Sequence, residues 1–355
     1  MARSKLESSA PLDSSRLEST SPIQSLESKE SLEFLDSSKQ ESIVFGPVLS
    51  RRFGLSLGVD LSPHRKQCNF DCVYCELHKA KPMDSMELVL PAEAVIQAIT
   101  QALQLHSNID VLSFTATGEP TLYPYLYEVI TAITPLLPQG TKSLILSNGS
   151  RLLEQSRALH AFDMVKFSLD AALPRAFKRV DRPSTSLDLA QILQGIREFA
   201  ASYKGELIAE VLLVQGHNDM QENLYAIAEF LRQIPISRVD LGSIDRPSAY
   251  PVRALSQERL QEIAEIFSGL PLVLPSRVSQ KNQDSQDDLA QNPPTKSPPR
   301  GKETLLKLIA TRPIACDEAA QIFSPQELAQ LQKFIDQGAV IIKQQGVNRF
   351  YVVKH

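Results

Sequence analysis

Residues 68–75 read Cys68-Asn-Phe-Asp-Cys72-Val-Tyr-Cys75 and hold three of the chain's four cysteines. A C-x-x-x-C-x-x-C array on a short loop has three chemical meanings. Structural zinc is closed and tetrahedral, so it would take His64 or His78 as a fourth ligand. A fully ligated 4Fe-4S cluster needs four thiolates. Three thiolates on such a cluster leave one iron open to hold a further molecule. The fourth cysteine, Cys316, lies far downstream between Ala315 and Asp317 and reads as a small buried hydrophobe. Three clustered thiols and one distant one make a poor disulfide framework, which points to metal in a reducing compartment.

Working outward, the loop follows an apolar run at Leu55–Leu61. Five more such runs follow at Val111–Thr117, Ser143–Leu146, Met164–Leu169, Leu207–Val214 and Val239–Ile244. Amphipathic helical periods lie between them, as in Val95/Ile99/Ala102/Leu103, Leu189/Ile192/Leu193/Ile196 and Leu224/Ile227/Ala228/Leu231. Asp219 with Glu222 reads as a capping box opening the last of these. Six strands each followed by a helix predict an α/β protein with a parallel sheet. Polar residues follow every strand: Cys68, Gly118-Glu119-Pro120, Asn148-Gly149, Asp170, Gln215 to Asp219, and Asp245-Arg246. Function on loops after every strand favours a barrel mouth over the single switch point of an open sheet.

The flanks differ in texture. Residues 1–41 repeat Leu-Glu-Ser at Leu6, Leu17 and Leu26, with a near copy at Leu32, and carry five basic and eight acidic residues. Such a composition buries too little apolar surface to offset its ordering entropy and predicts a disordered tail, with a weak helical tendency over Leu26–Leu35. Residues 276–301 contain four prolines and read as a linker between a core at 42–275 and a module at 302–355. In that module, helical segments at Glu303–Ala310, around Asp317–Phe323 and at Pro325–Gln337 precede a hairpin of Val340–Lys343 and Arg349–Val353. This is the order of a winged helix. Ser324-Pro-Gln-Glu327 is a capping box that opens the third helix.

Charge narrows the partners. The 355 residues carry a formal net charge of −4, so no bulk positive field advertises nucleic acid or membrane. The third helix of the small module offers Gln326, Gln330, Gln332, Lys333 and Gln337, with one cation among them, which argues for protein docking or substrate presentation over phosphate binding. No apolar run reaches the roughly 20 residues of a membrane-spanning helix, and the first residues lack the apolar core of a signal peptide. A soluble, cytoplasmic protein is the expectation.

The cluster motif, with Tyr74 before its last cysteine, resembles the signature of the radical S-adenosylmethionine (SAM) superfamily over about residues 43–275. The resemblance implies a partial TIM-type (βα)6 barrel in which Cys68, Cys72 and Cys75 hold one 4Fe-4S cluster. The open iron would then chelate SAM, whose reductive cleavage gives a 5'-deoxyadenosyl radical that abstracts hydrogen from substrate. Thr117-Gly118-Glu119-Pro120 is similar to the family's GEP motif, where the carboxylate and nearby backbone meet the SAM ammonium. Ser147, Asn148, Ser168 and Asp170, at strand ends, match positions the family uses for ribose and the methionine carboxylate, and Gln215–Asp219 matches its adenine-side loop. Phe45–Arg52, Ser56–Pro63 and Asp245-Arg246-Pro247 are similar to the subgroup related to tRNA wyosine-base synthases. The wyosine synthases themselves need a second cluster, and only Cys316 is left over here, which argues against their specific tRNA reaction. The resemblance implies an oxidoreductase with a separate flavodoxin- or ferredoxin-type electron donor; it names the chemistry and leaves the substrate unknown, an RNA base or a protein being the candidates. Arg51, Arg52, Arg182 and Arg246 are candidates for the substrate mouth, since guanidinium suits bidentate capture of carboxylate or phosphate.

Overall fold

The computed structural model describes residues 43–274 and 301–354, except 51, 312 and 347. The expected tail, residues 276–300 of the linker and Arg51 therefore lie outside the described residues.

All six expected strands are present, and two more extend the sheet. In chain order the strands are β1 (Val44–Ser50), β2 (Gly54–Asp60), β3 (Val111–Thr115), β4 (Lys142–Ser147), β5 (Met164–Ser168), β6 (Glu206–Leu213), β7 (Arg238–Ser243) and β8 (Leu272–Val273). They form one eight-stranded sheet in that spatial order. β1 is antiparallel to β2, and every later pairing is parallel. Sequence reading passed over β1 because Gly46-Pro47 lies in its middle; the register shifts between Phe45 and Val48, and an edge strand tolerates the missing donor. β8 is two residues long and has no period to read.

The parallel register sorts residues onto two faces. Leu57, Val59, Leu112, Phe114, Ile145, Val165, Phe167, Ala209, Val211, Val239 and Leu241 join one large core. Against them pack the amphipathic faces of α1 (Ala92–Leu105), α2 (Leu126–Ile133), α5 (Leu189–Ser202) and α6 (Gln221–Arg232), through Val95, Ile99, Val129, Ile130, Ile196, Phe199, Leu224 and Leu231. The short α3 (Ser156–Leu159), α4 (Pro174–Val180) and α7 (Gln257–Ala264) complete this layer. The other face carries a small apolar cluster, Val111, Leu144 and Met164 with Phe53, beside a charged network. There Lys166 Nζ lies 2.6 Å from Glu210 and 3.4 Å from Asp240, and Arg52 lies 2.8 Å from Asp240. Among the described residues β8 does not pair with β1, so the barrel is partial.

Residues 302–354 hold α8 (Lys302–Thr311), β9 (Ile314–Ala315), α9 (Ala319–Ile322), α10 (Pro325–Asp336), β10 (Val340–Gln345) and β11 (Asn348–Val353), with strand order β10-β11-β9. The capping box is formed: the Ser324 side chain accepts from Glu327 N, and the Glu327 side chain accepts from Ser324 N. At α6 the expectation fails. Asp219 turns back to accept from Gly216 N at 2.8 Å, and the helix begins after Met220 without a side-chain cap. The tight turn captures the carboxylate first. Phe45 of β1 packs against this module's core, its ring lying over Gly58 where a Cβ would collide with it. No helix among the described residues is long and apolar enough to cross a membrane.

Candidate active site

The three cysteines lie on the long connection from β2 to α1, and buried polar groups hold it in place of secondary structure. Gln67, 1% exposed, donates to Ser62 Oγ and Leu88 O and accepts from Glu87 N and Leu88 N. Its backbone donates to Thr117 O at 3.0 Å and accepts from Glu119 N at 2.9 Å, a parallel bridge to Gly118. Gly118 has φ +139°, and a Cβ there would lie 1.8 Å from the Gln67 carbonyl oxygen. The glycine is required because two backbones touch. This contact joins the residue before Cys68 to the Gly-Glu-Pro turn.

On its other side the loop rests on the end of α4. Val73 N donates to Val180 O at 2.8 Å and Asp71 N to Asp181 O at 3.1 Å. Phe70 meets Phe177 edge-on at 5.4 Å. Arg182, directly after Asp181, adopts φ +48°, strained for a side-chain-bearing residue, as expected where surrounding contacts dictate the backbone.

Glu119 ties the next strand end to this bridge. Its Oε1 accepts from Thr121 N (3.0 Å), Thr121 Oγ1 (2.7 Å) and Ser147 Oγ (2.8 Å), and its Oε2 accepts from Asn148 N (2.6 Å). Burial raises this carboxyl above its ordinary value, against those hydrogen bonds, which lower it. Pro120, buried, opens the short helical turn that aims Thr121 back at the carboxylate. Asn148 donates from Nδ2 to Asn69 Oδ1 at 2.7 Å and lies 3.8 Å from Cys68 Sγ.

At the end of β5, Asp170 accepts from Tyr74 Oη and, at 2.7 Å, from Leu212 N. Burial pushes its carboxyl up to about 7, the hydrogen bonds working in the opposite direction. Tyr74, Asn148, Ser168 and Asp170 line one cleft with Phe70 and Asp181. Among the described residues the Ser168 hydroxyl makes no hydrogen bond. The structure thus gathers Tyr74, Gly118, Glu119, Pro120, Ser147, Asn148, Ser168 and Asp170 around one loop. In the Gln215–Asp219 loop, Asn218 is buried and clips two strand ends, donating to Asp170 O and Leu212 O and accepting from Val214 N.

Several site residues carry no signal in the sequence. Lys66 is 4% exposed and lies 3.4 Å from Asp71. Burial pulls its ammonium down, and Cys75, Cys68 and Asp71 push it up further, so it stands above its ordinary value. Asp71, inside the cysteine motif, also accepts from Tyr250 Oη and Ala80 N. Burial raises Asp71, but Tyr250 and Lys66 outweigh it and hold the carboxyl below its ordinary value. Asp181 is buried 3.7 Å from Cys72 Sγ, and burial with the Asp170 charge raises it well above the carboxylate range. Of the mouth arginines, Arg52 lies in the inner-face network, Arg182 lies 3.9 Å from Asp71, and Arg246 pairs with Glu76 at 3.2 Å.

The donor set fits a polynuclear centre. Burial pushes the Cys68 thiol up to about 12 and the Cys72 and Cys75 thiols above their ordinary value, so three thiolates here need a strong cation. Among the described residues no group of three His, Cys, Asp or Glu converges as a single metal ion requires. Three thiolates on an iron–sulfur cluster each bind a different iron, so they need not converge on one point.

Comparison with known proteins is consistent with that chemistry. Residues 62–231 match the model of the Radical SAM superfamily. A UPF0026 protein of Helicobacter pylori is 48% identical over 312 residues, which is 87% of this chain and 97% of that protein. A UPF0026 protein of Methanocaldococcus jannaschii is 31% identical over 234 residues, 64% of this chain and 71% of that one. Among solved structures, a radical SAM methyltransferase from Sphaerobacter thermophilus overlaps 62% of this chain and 65% of its own, with 17% identity and a TM-score of 0.49. The chain belongs to the UPF0026 family of the radical SAM superfamily, which works with a 4Fe-4S cluster and S-adenosylmethionine.

Proposed function

We propose that the protein is a radical SAM oxidoreductase in which Cys68, Cys72 and Cys75 hold the cluster. Tyr74, the Gly118-Glu119-Pro120 turn, Ser147, Asn148, Ser168 and Asp170 would bind SAM beside it. The observation that carries this reading is the Gln67–Gly118 bridge, which locks the cysteine loop onto the strand ends where those polar groups converge.

When bound, the cofactors supply one-electron cleavage of SAM and hydrogen abstraction from the substrate. The chain's residues set the stage. Lys66 places a buried positive charge beside three thiols, which favours their thiolate form. Glu119 Oε2 has one donor in the protein, and a carboxylate oxygen has room for a second, such as an ammonium. The Ser168 hydroxyl is available as donor or acceptor toward a ribose or carboxylate. Tyr74, fastened to Asp170, holds the last turn of the loop over the cleft. The module at 302–354 is proposed as a winged-helix unit for docking or substrate presentation. The reducing electron comes from a separate carrier.

Anaerobic reconstitution tests the reading. It should yield iron and sulfide near the roughly four per chain of one cluster, with an EPR signal that changes on adding SAM. Dithionite and SAM should then give 5'-deoxyadenosine. Deuterated RNA and protein fractions, offered in turn, identify the substrate by which one carries deuterium into deoxyadenosine. A colourless protein with stoichiometric zinc would sink the proposal.

A further inference from the structure

Two solvent-facing segments beside the cysteine loop are basic, in a chain whose formal net charge is −4, while Asp84 and Glu87 are exposed further along the same loop. Residues 175–182, Arg-Ala-Phe-Lys-Arg-Val-Asp-Arg, carry four cations against one carboxylate, and that carboxylate, Asp181, is buried. α4 buries Ala176, Phe177 and Val180, and it leaves Arg175, Lys178 and Arg179 exposed. Its inner side holds the loop through Val180 O and Asp181 O, so its outer side is one helix from the cysteines. The second basic segment is Lys79-Ala-Lys81, fixed by Ala80 N to Asp71 and by Met83 N to Cys68 O at 2.9 Å. The two segments meet at Tyr250, whose ring has Lys79 Nζ at 4.3 Å and the Arg182 guanidinium at 4.6 Å. Among the described residues, no carboxylate forms an ion pair with Lys79, Lys81, Arg175 or Lys178. Unneutralised, exposed and clustered cations set up a local field that overall charge conceals.

We propose that this rim is the docking surface for an acidic one-electron carrier protein of flavodoxin or ferredoxin type. The inference rests on the proposed function, since it presupposes a cluster on Cys68, Cys72 and Cys75. An electron needs proximity and no entry into the cleft, and the rim offers proximity: every cation on it belongs to a segment hydrogen-bonded to the cysteine loop. The step is a one-electron transfer in which the reduced carrier is oxidised by one electron and the cluster takes that electron up. No bond forms or breaks. Charge complementarity at such a rim acts mainly on association rate and its salt dependence.

The test compares the reconstituted holoenzyme with its Lys81→Glu/Arg175→Glu/Lys178→Glu variant, using a purified acidic flavodoxin as probe. Calorimetry measures flavodoxin binding without turnover, and deoxyadenosine formation is driven in parallel by photoreduced flavodoxin or by dithionite. The variant should bind flavodoxin at least about tenfold more weakly at low ionic strength and lose flavodoxin-driven turnover in proportion. The deficit should shrink as salt rises toward about 0.5 M, where the screening length falls to a few ångströms. Dithionite-driven turnover and thermal melting should match the unmodified protein. Unchanged flavodoxin affinity overturns the proposal. So does a variant that loses binding to bulk transfer RNA while keeping its flavodoxin affinity, which would give the rim to nucleic acid. If dithionite gives no deoxyadenosine with the unmodified enzyme, the functional reading fails, and the binding measurement still decides the rim.

Discussion

Gly118→Ala probes the contact on which the site depends. A Cβ at this position would lie 1.8 Å from the Gln67 carbonyl oxygen, whereas real Cβ contacts essentially never fall under 3.0 Å. The obstacle is backbone, so no side-chain rotation relieves it, and the two segments must part. Parting breaks Gln67 N to Thr117 O and Glu119 N to Gln67 O. Each buried group left unpaired costs about 1–3 kcal/mol. The backbone at φ +139° adds about 1–3 kcal/mol for a residue with a side chain. With partial relaxation the total is about 3–6 kcal/mol, a large share of the stability of an ordinary domain. Gly140→Ala is the control: its φ is +88° and a Cβ there would meet nothing within 4 Å, so it carries only the backbone cost. Urea unfolding of the metal-free protein should separate the two variants by at least about 2 kcal/mol, the cost of two lost buried hydrogen bonds at the low end. Iron retention after reconstitution should fall for Gly118→Ala alone. Equal midpoints and equal iron in the two variants would refute the bridge as the element that positions the cysteine loop.

Glu119→Gln keeps the shape but sets an amide NH2 against either Asn148 N or the three donors on Oε1, so it should destabilise the fold by about 1–3 kcal/mol and weaken SAM binding, read by urea unfolding and calorimetry. Lys66→Met removes the cation among the thiols and should move the cluster's midpoint potential to more negative values in an EPR-monitored redox titration. Asn218→Ala deletes three buried hydrogen bonds clipping β5 to β6 and should cost about 3 kcal/mol, measured by thermal melting, with iron content unchanged. Ser324→Ala removes the α10 cap and should lower stability by about 1 kcal/mol without altering iron or deoxyadenosine yield.

The parallel strands were legible because each is an apolar run bounded by polar turns and followed by a helical period, signals that need no tertiary information. β1 was hidden because its partner lies across a bulge next to Pro47, and β8 because two residues have no period. Asp219 shows how a correct helix can carry a wrong cap: the box pattern was present, but Gly216 N lies nearer and takes the carboxylate. Within the site, Cys68, Cys72, Cys75 and the Gly-Glu-Pro turn stood out as unusual residue combinations. Lys66, Asp71 and Asp181 did not. A single charge in an aperiodic loop has no signature until the loop's path puts it beside a thiol, and that path is set by contacts such as Gln67 with Gly118. The basic rim was masked for a related reason, since counting charge over the chain averages Lys79, Lys81, Arg175 and Lys178 with acidic helices elsewhere.

Most polar groups gathered here are already engaged with the protein. Glu119 accepts four hydrogen bonds, Asp170 holds Tyr74 and β6, and Asn148 spans Asn69 and Ser150, which leaves the Ser168 hydroxyl with no partner among the described residues. Such saturation fixes side-chain positions at little entropic cost on binding, because the rotamers are ordered beforehand. It also means that SAM would exchange protein hydrogen bonds for its own wherever it displaces a donor. Favourable binding then depends on groups that keep spare capacity, namely Glu119 Oε2 and Ser168 Oγ, and on charge. Ser168→Ala should accordingly raise the SAM dissociation constant without changing the urea midpoint, because no internal hydrogen bond is lost with it. Ser147→Ala should move both, because its hydroxyl donates to Glu119 at 2.8 Å. The contrast between two serines at neighbouring strand ends separates a group that serves the ligand from one that serves the cradle.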